Sequence, residues 1–163
     1  MNEKGRGPYS ALVVDDEAQL RDLIREFLEM EGYEVSTASS PDEALELAKD
    51  KRFHIILTDL KMPGIGGIEL LRRVRKYNPY IATIVFTGFG TPEAVVQAFR
   101  DGRVNDFLAK PFQAPELYRA VSLAIKEQGL KEREDHFYRE LERRVKEVTK
   151  ELEEKNKLLS NFP

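Results

Sequence analysis

Five short apolar runs, separated by stretches of helical period, constrain this chain more than any other feature. Ser10–Val14, Tyr33–Thr37, His54–Thr58, Ile81–Phe86 and Asp106–Ala109 are short and rich in β-branched residues, and three of them are nearly continuous in apolar side chains. Such runs read as strands buried on both faces. Between them, Leu20, Leu23, Ile24, Phe27 and Leu28 keep the i, i+3, i+4, i+7, i+8 spacing of one helix face. Leu70, Leu71 and Val74, and then Val95, Ala98 and Phe99, do so more briefly. Ser40-Pro41-Asp42-Glu43 has the form of a capping box with proline at the first helical position, and Thr91-Pro92-Glu93 repeats the cap-then-proline pattern. Gly32 and Gly102 stand where helices should stop. The connections are too long for hairpins, so five βα units predict an α/β fold, a doubly wound parallel sheet with helices on both sides.

The remainder of the chain is different. From Leu130 onward, 18 of 34 residues are charged, nine of each sign, whereas all ten glycines and seven of the eight prolines lie in residues 1–129. The boundary is set near Gly129, giving a domain over 1–128 and an appendage over 129–163. The last helix of the sheet domain is expected to begin near Pro115 and to turn Leu117, Val121 and Ala124 toward the sheet. Gly129 is then the joint. From Tyr138 the apolar positions fall at Tyr138, Leu141, Val145, Val148, Leu152, Leu159 and Phe162, a heptad seam broken only by Lys155. As a helix, residues 138–162 would extend ~37 Å at 1.5 Å per residue. A lone rod cannot bury such a stripe, so a parallel homodimer through 138–162 is predicted.

Absence narrows the chemistry. Cysteine is missing, which excludes disulfides, thiol nucleophiles and Cys-ligated metals. No apolar run approaches a membrane span and the first ten residues lack a secretory signal, so the protein is expected in the cytoplasm, away from membranes. The net charge of −3 gives no general pull toward nucleic acid. No helix-turn-helix is found in the charged tail, and direct nucleic-acid binding is not expected.

Ligands of doubly wound sheets bind at the carboxyl ends of strands. There the sequence places Asp15, Asp16 and Glu17 after strand one, Asp59 after strand three, Thr87 after strand four, and Lys110-Pro111 after strand five. Taken singly, each is an ordinary cap or turn residue. Together on one edge, the carboxylates call for a hard cation such as Mg2+, and Lys110 and Thr87 for an anion bound beside it. A carboxylate held in line with a phosphoryl group can itself be the nucleophile. His54, at the head of an apolar strand, reads as packing, and His136 as a solvated helix residue. Gly64-Ile65-Gly66-Gly67 lacks the Lys-Ser/Thr of a phosphate-binding loop and reads as a turn.

Leu12-Val13-Val14-Asp15-Asp16-Glu17, Asp59-Leu60-Lys61-Met62-Pro63-Gly64 with Gly67, Val85-Phe86-Thr87-Gly88, and Asp106-Phe107-Leu108-Ala109-Lys110-Pro111-Phe112 resemble, in that order, the receiver domain of two-component response regulators. The resemblance covers about residues 8 to 128. It implies a flavodoxin-like sheet of order 2-1-3-4-5, with an extended helix following. It implies that Asp59 accepts a phosphoryl group from a sensor histidine kinase or phosphotransfer protein, and that Asp15, Asp16, Asp59 and the backbone carbonyl of Lys61 hold Mg2+. Lys110 would bind the phosphoryl oxygens, Thr87 and Phe107 would switch behind them, and the face of helix four, strand five and helix five would change. The Lys110–Pro111 bond is expected to be cis.

Such a protein is no enzyme beyond phosphotransfer to itself and slow autodephosphorylation. A Mg-dependent phosphohydrolase of the haloacid dehalogenase type is disfavoured, because its Asp-x-Asp after strand one is not matched. A degenerate oligomerisation module is disfavoured by intact Asp59, Thr87 and Lys110. In related families a receiver-plus-coil segment precedes kinase, cyclase or phosphodiesterase domains, so a regulatory fragment of a larger effector is the alternative.

The pattern departs from the family's commonest form at Gly88, at Phe107 in place of tyrosine, and at Arg103, where a small residue is usual. Phe89, two residues past Thr87, has no polar group to orient an attacking water and predicts a long-lived aspartyl phosphate. Labelled phosphoprotein is expected to decay faster in Phe89→Glu than in the parent, as a time course of retained label would measure.

Overall fold

In a computed structural model, residues 8–88, 93–101 and 103–161 are described. Five strands and five helices alternate: β1 Ser10–Val14, α1 Ala18–Met30, β2 Glu34–Ala38, α2 Pro41–Asp50, β3 Ile55–Asp59, α3 Gly66–Tyr77, β4 Ala82–Thr87, α4 Glu93–Arg100, β5 Asp106–Ala109 and α5 Ala114–Ser160. The strands form one sheet of order β2-β1-β3-β4-β5, parallel throughout. The expected order therefore holds, with strands two to four displaced by one residue toward the C-terminus.

The alternation of side chains along each strand divides the core. Ala11, Val13, Ile55, Leu57, Ile84 and Phe86 meet Ile24 and Leu28 of α1 and Leu117, Val121 and Ala124 of α5 on one face. Leu12, Val14, Ile56 and Val85 meet Leu70, Leu71 and Val74 of α3 and Ala98 of α4 on the other. Each fully buried leucine or isoleucine contributes about 1.5–3 kcal/mol, so the sheet is clamped from both sides by these rows. The helix-face pattern overreached at two positions: Leu23 is 43% exposed and Phe99 is 50% exposed. Phe99 instead lies beside Phe107 on β5, their ring centroids 5.8 Å apart.

The ends of the helices follow local chemistry. Ser40 Oγ accepts the Glu43 backbone N–H at 3.2 Å, half of the expected capping box. The returning bond goes elsewhere, because Glu43 Oε2 accepts from both the backbone N–H and the hydroxyl of Ser39, each at 2.9 Å. Beyond α1, Gly32 takes φ +89°, the left-handed conformation that a side chain disfavours. The cap proposed at Thr91-Pro92 and the stop at Gly102 lie outside the described residues.

The chain divides into two units, at Gln128 and Gly129. α5 is helical through Gly129, so the glycine marks no break in helical hydrogen bonding. In the second unit the seam side chains Tyr138, Leu141, Val145, Val148, Leu152 and Leu159 are all exposed in the single chain, while Phe162 lies outside the described residues. Arg143 ties Glu140 and Glu147 at 3.1 and 2.6 Å, the i, i+3 and i, i+4 spacings that support a solvated helix.

Candidate functional site at the carboxyl edge of the sheet

Strand register assembles the site. Val14 pairs with Thr58, so Asp15 and Asp59 stand on the next rung of β1 and β3. Asp59 pairs with Phe86, Thr87 follows, and Thr87 pairs with Ala109, immediately before Lys110. Carboxylate oxygens of Asp15, Asp16 and Asp59 lie within 4.8 Å of one another. Lys110 Nζ lies 3.1 Å from Asp59 Oδ2 and 3.4 Å from Asp15 Oδ2. The structure thus brings Asp15, Asp16, Asp59 and Lys110 together, with Thr87 buried at the adjoining strand end. The Lys110–Pro111 bond is cis.

Burial and charge oppose each other here. The Asp15 side chain has no exposure, and this desolvation raises its carboxyl above the usual range. The Glu17 N–H, donating to Asp15 Oδ1 at 2.8 Å, and the Lys110 ammonium pull the other way, while Asp59 adds to the rise. Burial also works to lower Lys110, but the hydrogen bond to Asp59 and the charges of both aspartates leave it above the ordinary lysine value. A compact set of hard oxygen donors that repel one another, one of them fully buried, fits a small divalent cation such as magnesium.

Two supports act on the backbone of the site, Arg21 from outside the motif and Gly67 from within it. Arg21 Nη1 donates to the Asp15 backbone carbonyl at 2.7 Å, fixing the turn out of β1 from the first turn of α1. Gly67 packs against the far side of Asp59: its N–H donates to Leu60 O at 2.9 Å, and a Cβ there would collide with the Asp59 carbonyl oxygen. Met62 is buried beneath the same loop, whereas the Lys61 side chain is exposed. Gly64 and Gly66 adopt positive φ, 101° and 76°; the chain bends here as expected, but Gly66 and Gly67 already belong to α3.

The other candidates fall as follows. Phe107 is half-buried on β5 against the core of the α2–α4 side. Phe89 lies outside the described residues. His54 Nδ1 accepts the Ser10 N–H at 2.9 Å and its ring packs edge-on to Tyr9, consistent with packing, and His136 is exposed on α5. No helix among the described residues is long and apolar enough to cross a membrane.

A doubly wound parallel sheet that gathers three carboxylates and a lysine at its carboxyl edge defines a class of signalling domains. The family model of the response regulator receiver domain matches residues 11–122, and the chain belongs to that family. It is similar to sporulation initiation phosphotransferase F of Bacillus subtilis, 34% identical over 74% of this chain and 92% of that protein. It is also similar to the C4-dicarboxylate transport transcriptional regulatory protein DctD of Rhizobium meliloti, 35% identical over 74% of this chain and 26% of that one. The transcriptional regulatory protein FixJ of the same species is 36% identical over 71% of this chain and 56% of its own length. The chain thus spans from about a quarter to just over half of these two regulators. Among solved structures, a receiver domain protein from Clostridium thermocellum superposes with TM-score 0.69 at 35% identity, covering 75% of this chain and 98% of that one. A chain described as adenylate cyclase from Rhodopirellula baltica does so with TM-score 0.75 at 28% identity, covering 81% and 98%.

Substituting Gly67→Ala forces the Asp59–Leu60 backbone to move. A loss of about 1–3 kcal/mol in urea unfolding is expected, with no such loss for Gly88→Ala, where a Cβ meets open space.

Proposed function

We propose that Asp59 is the phosphoacceptor of a two-component signalling pathway and that the C-terminal helix transmits the switch as a dimeric coiled coil. The observation that carries the first part is the Lys110 ammonium 3.1 Å from Asp59 Oδ2, inside a cluster of three carboxylates on a receiver fold. An Asp59 carboxylate oxygen attacks the phosphorus of a phosphohistidine on a sensor kinase or phosphotransfer protein. The P–O bond forms as the P–N bond breaks, and the electron pair stays on the imidazole nitrogen, which takes a proton from water. Asp15, Asp16, Asp59 and the Lys61 backbone carbonyl would hold magnesium, whose charge offsets that of the incoming phosphoryl oxygens. Lys110 is placed to exchange its Asp59 contact for a phosphoryl oxygen, and Thr87 to donate its hydroxyl to another. Phe107 follows Thr87 inward, so the β4–β5 side repacks between two states that differ in their contacts to one charged group.

Support for the coil is its heptad seam, exposed at each of its described positions from Tyr138 to Leu159 in one chain. A second copy of the same helix is the partner that matches it position for position. The similarity to DctD and to a chain described as an adenylate cyclase supports a second reading, in which this receiver regulates an output within a larger protein.

Asp59→Asn should take up no acid-stable, hydroxylamine-labile phosphoryl label from a small phosphodonor, while the parent labels in a magnesium-dependent way. Far-ultraviolet circular dichroism should match for the two proteins. Sedimentation in magnesium, with and without beryllofluoride, should find a dimer in at least one state. Lys155→Leu should tighten it by about tenfold or more, since an apolar side chain replaces a charge in the seam; a monomer throughout overturns the coil.

A further inference from the structure

A groove of about 410 Å³ lies between α3 and the segment entering β5. It is lined by the apolar Ile68, Leu71 and Val104 and by Arg72, Arg75 and Arg103, with Glu69, the partner of Arg72, among them. We propose that this groove binds a small phosphorylated ligand with an apolar, planar body, of the nucleotide class.

The volume falls in the range of small-molecule sites, and an apolar lining with a few charged groups is their usual make-up. Arginine suits a phosphate, because its planar fork donates two parallel hydrogen bonds and its face stacks on flat rings. The charges are arranged before any ligand arrives. Glu69 accepts from Arg72 at 2.8 and 2.6 Å and from Arg73 at 3.1 Å. These bonds hold its carboxyl down to about 2, so it stays ionised and fixes Arg72 in place. Arg75 Nη2 donates to Thr83 Oγ1 at 3.2 Å, and the same hydroxyl lies 3.3 Å from the Arg103 carbonyl. One buried threonine on β4 therefore anchors the side chain of one arginine and the backbone of another. Arg75 is partly withdrawn from water, and burial lowers its guanidinium below the ordinary arginine value.

Nothing in the phosphoacceptor site uses Arg103. Thr83 and Thr87 lie four residues apart on one strand, about 13 Å at strand rise. The groove is thus separate from the Asp59 edge and rests on none of its chemistry.

The test titrates the full chain, without magnesium, with 5′-AMP and separately with inorganic phosphate, following backbone amides by NMR. Saturable shifts are expected with AMP at residues 68–75 and 103–105, weakened at least about tenfold in Arg103→Ala. Arg25→Ala, which removes a guanidinium from α1 on the other face of the sheet, should bind as the parent does. Inorganic phosphate should perturb the same amides at least about tenfold more weakly, having no body to cover the apolar lining. Unchanged magnesium-beryllofluoride shifts around Asp59 should show that Arg103→Ala remains folded and receptive at the other edge. Absence of saturable shifts in these segments, or shifts indifferent to Arg103→Ala, overturns the site. Equal affinity for phosphate and AMP overturns the assigned ligand class.

Discussion

Everything at the carboxyl edge depends on the attraction of one lysine for two aspartates. Carboxylate oxygens within 4.8 Å of each other, on Asp15 and Asp59, repel by on the order of 3 kcal/mol at an effective dielectric of ~20. With Asp15 fully buried, solvent does little to screen that repulsion. Lys110, reaching both, is the charge within this chain that makes the arrangement tolerable. The lysine arrives there because β5 pairs with β4 in a register that places Ala109 beside Thr87. Its own backbone N–H donates to the Thr87 carbonyl at 2.7 Å, which extends the ladder one rung past the assigned strand. A compensated but unsaturated cluster of this sort exchanges partners readily, and that is the physical basis of a switch driven by one added charged group.

The fold beneath the cluster is a device for fixing register. In a parallel sheet buried on both faces, a one-residue slip would exchange the rows that meet α1 and α5 for those that meet α3 and α4. Phe86 and Val85, adjacent on β4, face opposite cores, and their sizes are not interchangeable. Packing on the two sides of the sheet therefore determines which residues end each strand. Gly67 adds a local constraint, since only a residue without a side chain allows α3 to start against the Asp59 carbonyl.

Strands and site residues were legible in the sequence for different reasons. Each strand shows itself as an apolar run, and the carboxyl-edge rule then gathers Asp15, Asp59, Thr87 and Lys110 without coordinates. Strand ends were less legible, because hydrogen bonds such as that of Leu60 N–H to the Phe86 carbonyl extend pairing beyond the apolar letters. The helical spacing places Phe99 inward, but a short helix offers too few turns to fix the edge of its buried face, and the side chain sits at the rim, beside Phe107. Arg21 was invisible as a support, since it acts on the backbone of a motif residue and belongs to no motif, whereas Gly67 stands in the matched motif but its role against the Asp59 carbonyl does not show in the letters.

The opposite edge of the sheet is organised by polar groups that periodicity also fails to report. Asn105 Oδ1 accepts the Thr83 N–H at 2.9 Å, and its Nδ2 lies 3.3 Å from Gln128 Oε1. Gln128 in turn reaches the Ile81 carbonyl at 3.4 Å. A buried glutamine at the end of an otherwise apolar row of α5 would be costly without such partners, and with them it fixes the helix in one rotational setting. Hydrophobic contacts from Leu117 to Ile125 supply most of the adhesion, but side chains of similar size would tolerate a small rotation or slide. Directional hydrogen bonds tolerate much less. The last turn of α5 within the receiver unit is therefore held by the element most sensitive to its orientation, and the same Thr83 hydroxyl that braces Asn105 also braces Arg75. Any charge that settled on Arg75 would act on this chain of bonds, two hydrogen bonds away from Asn105 and three away from Gln128.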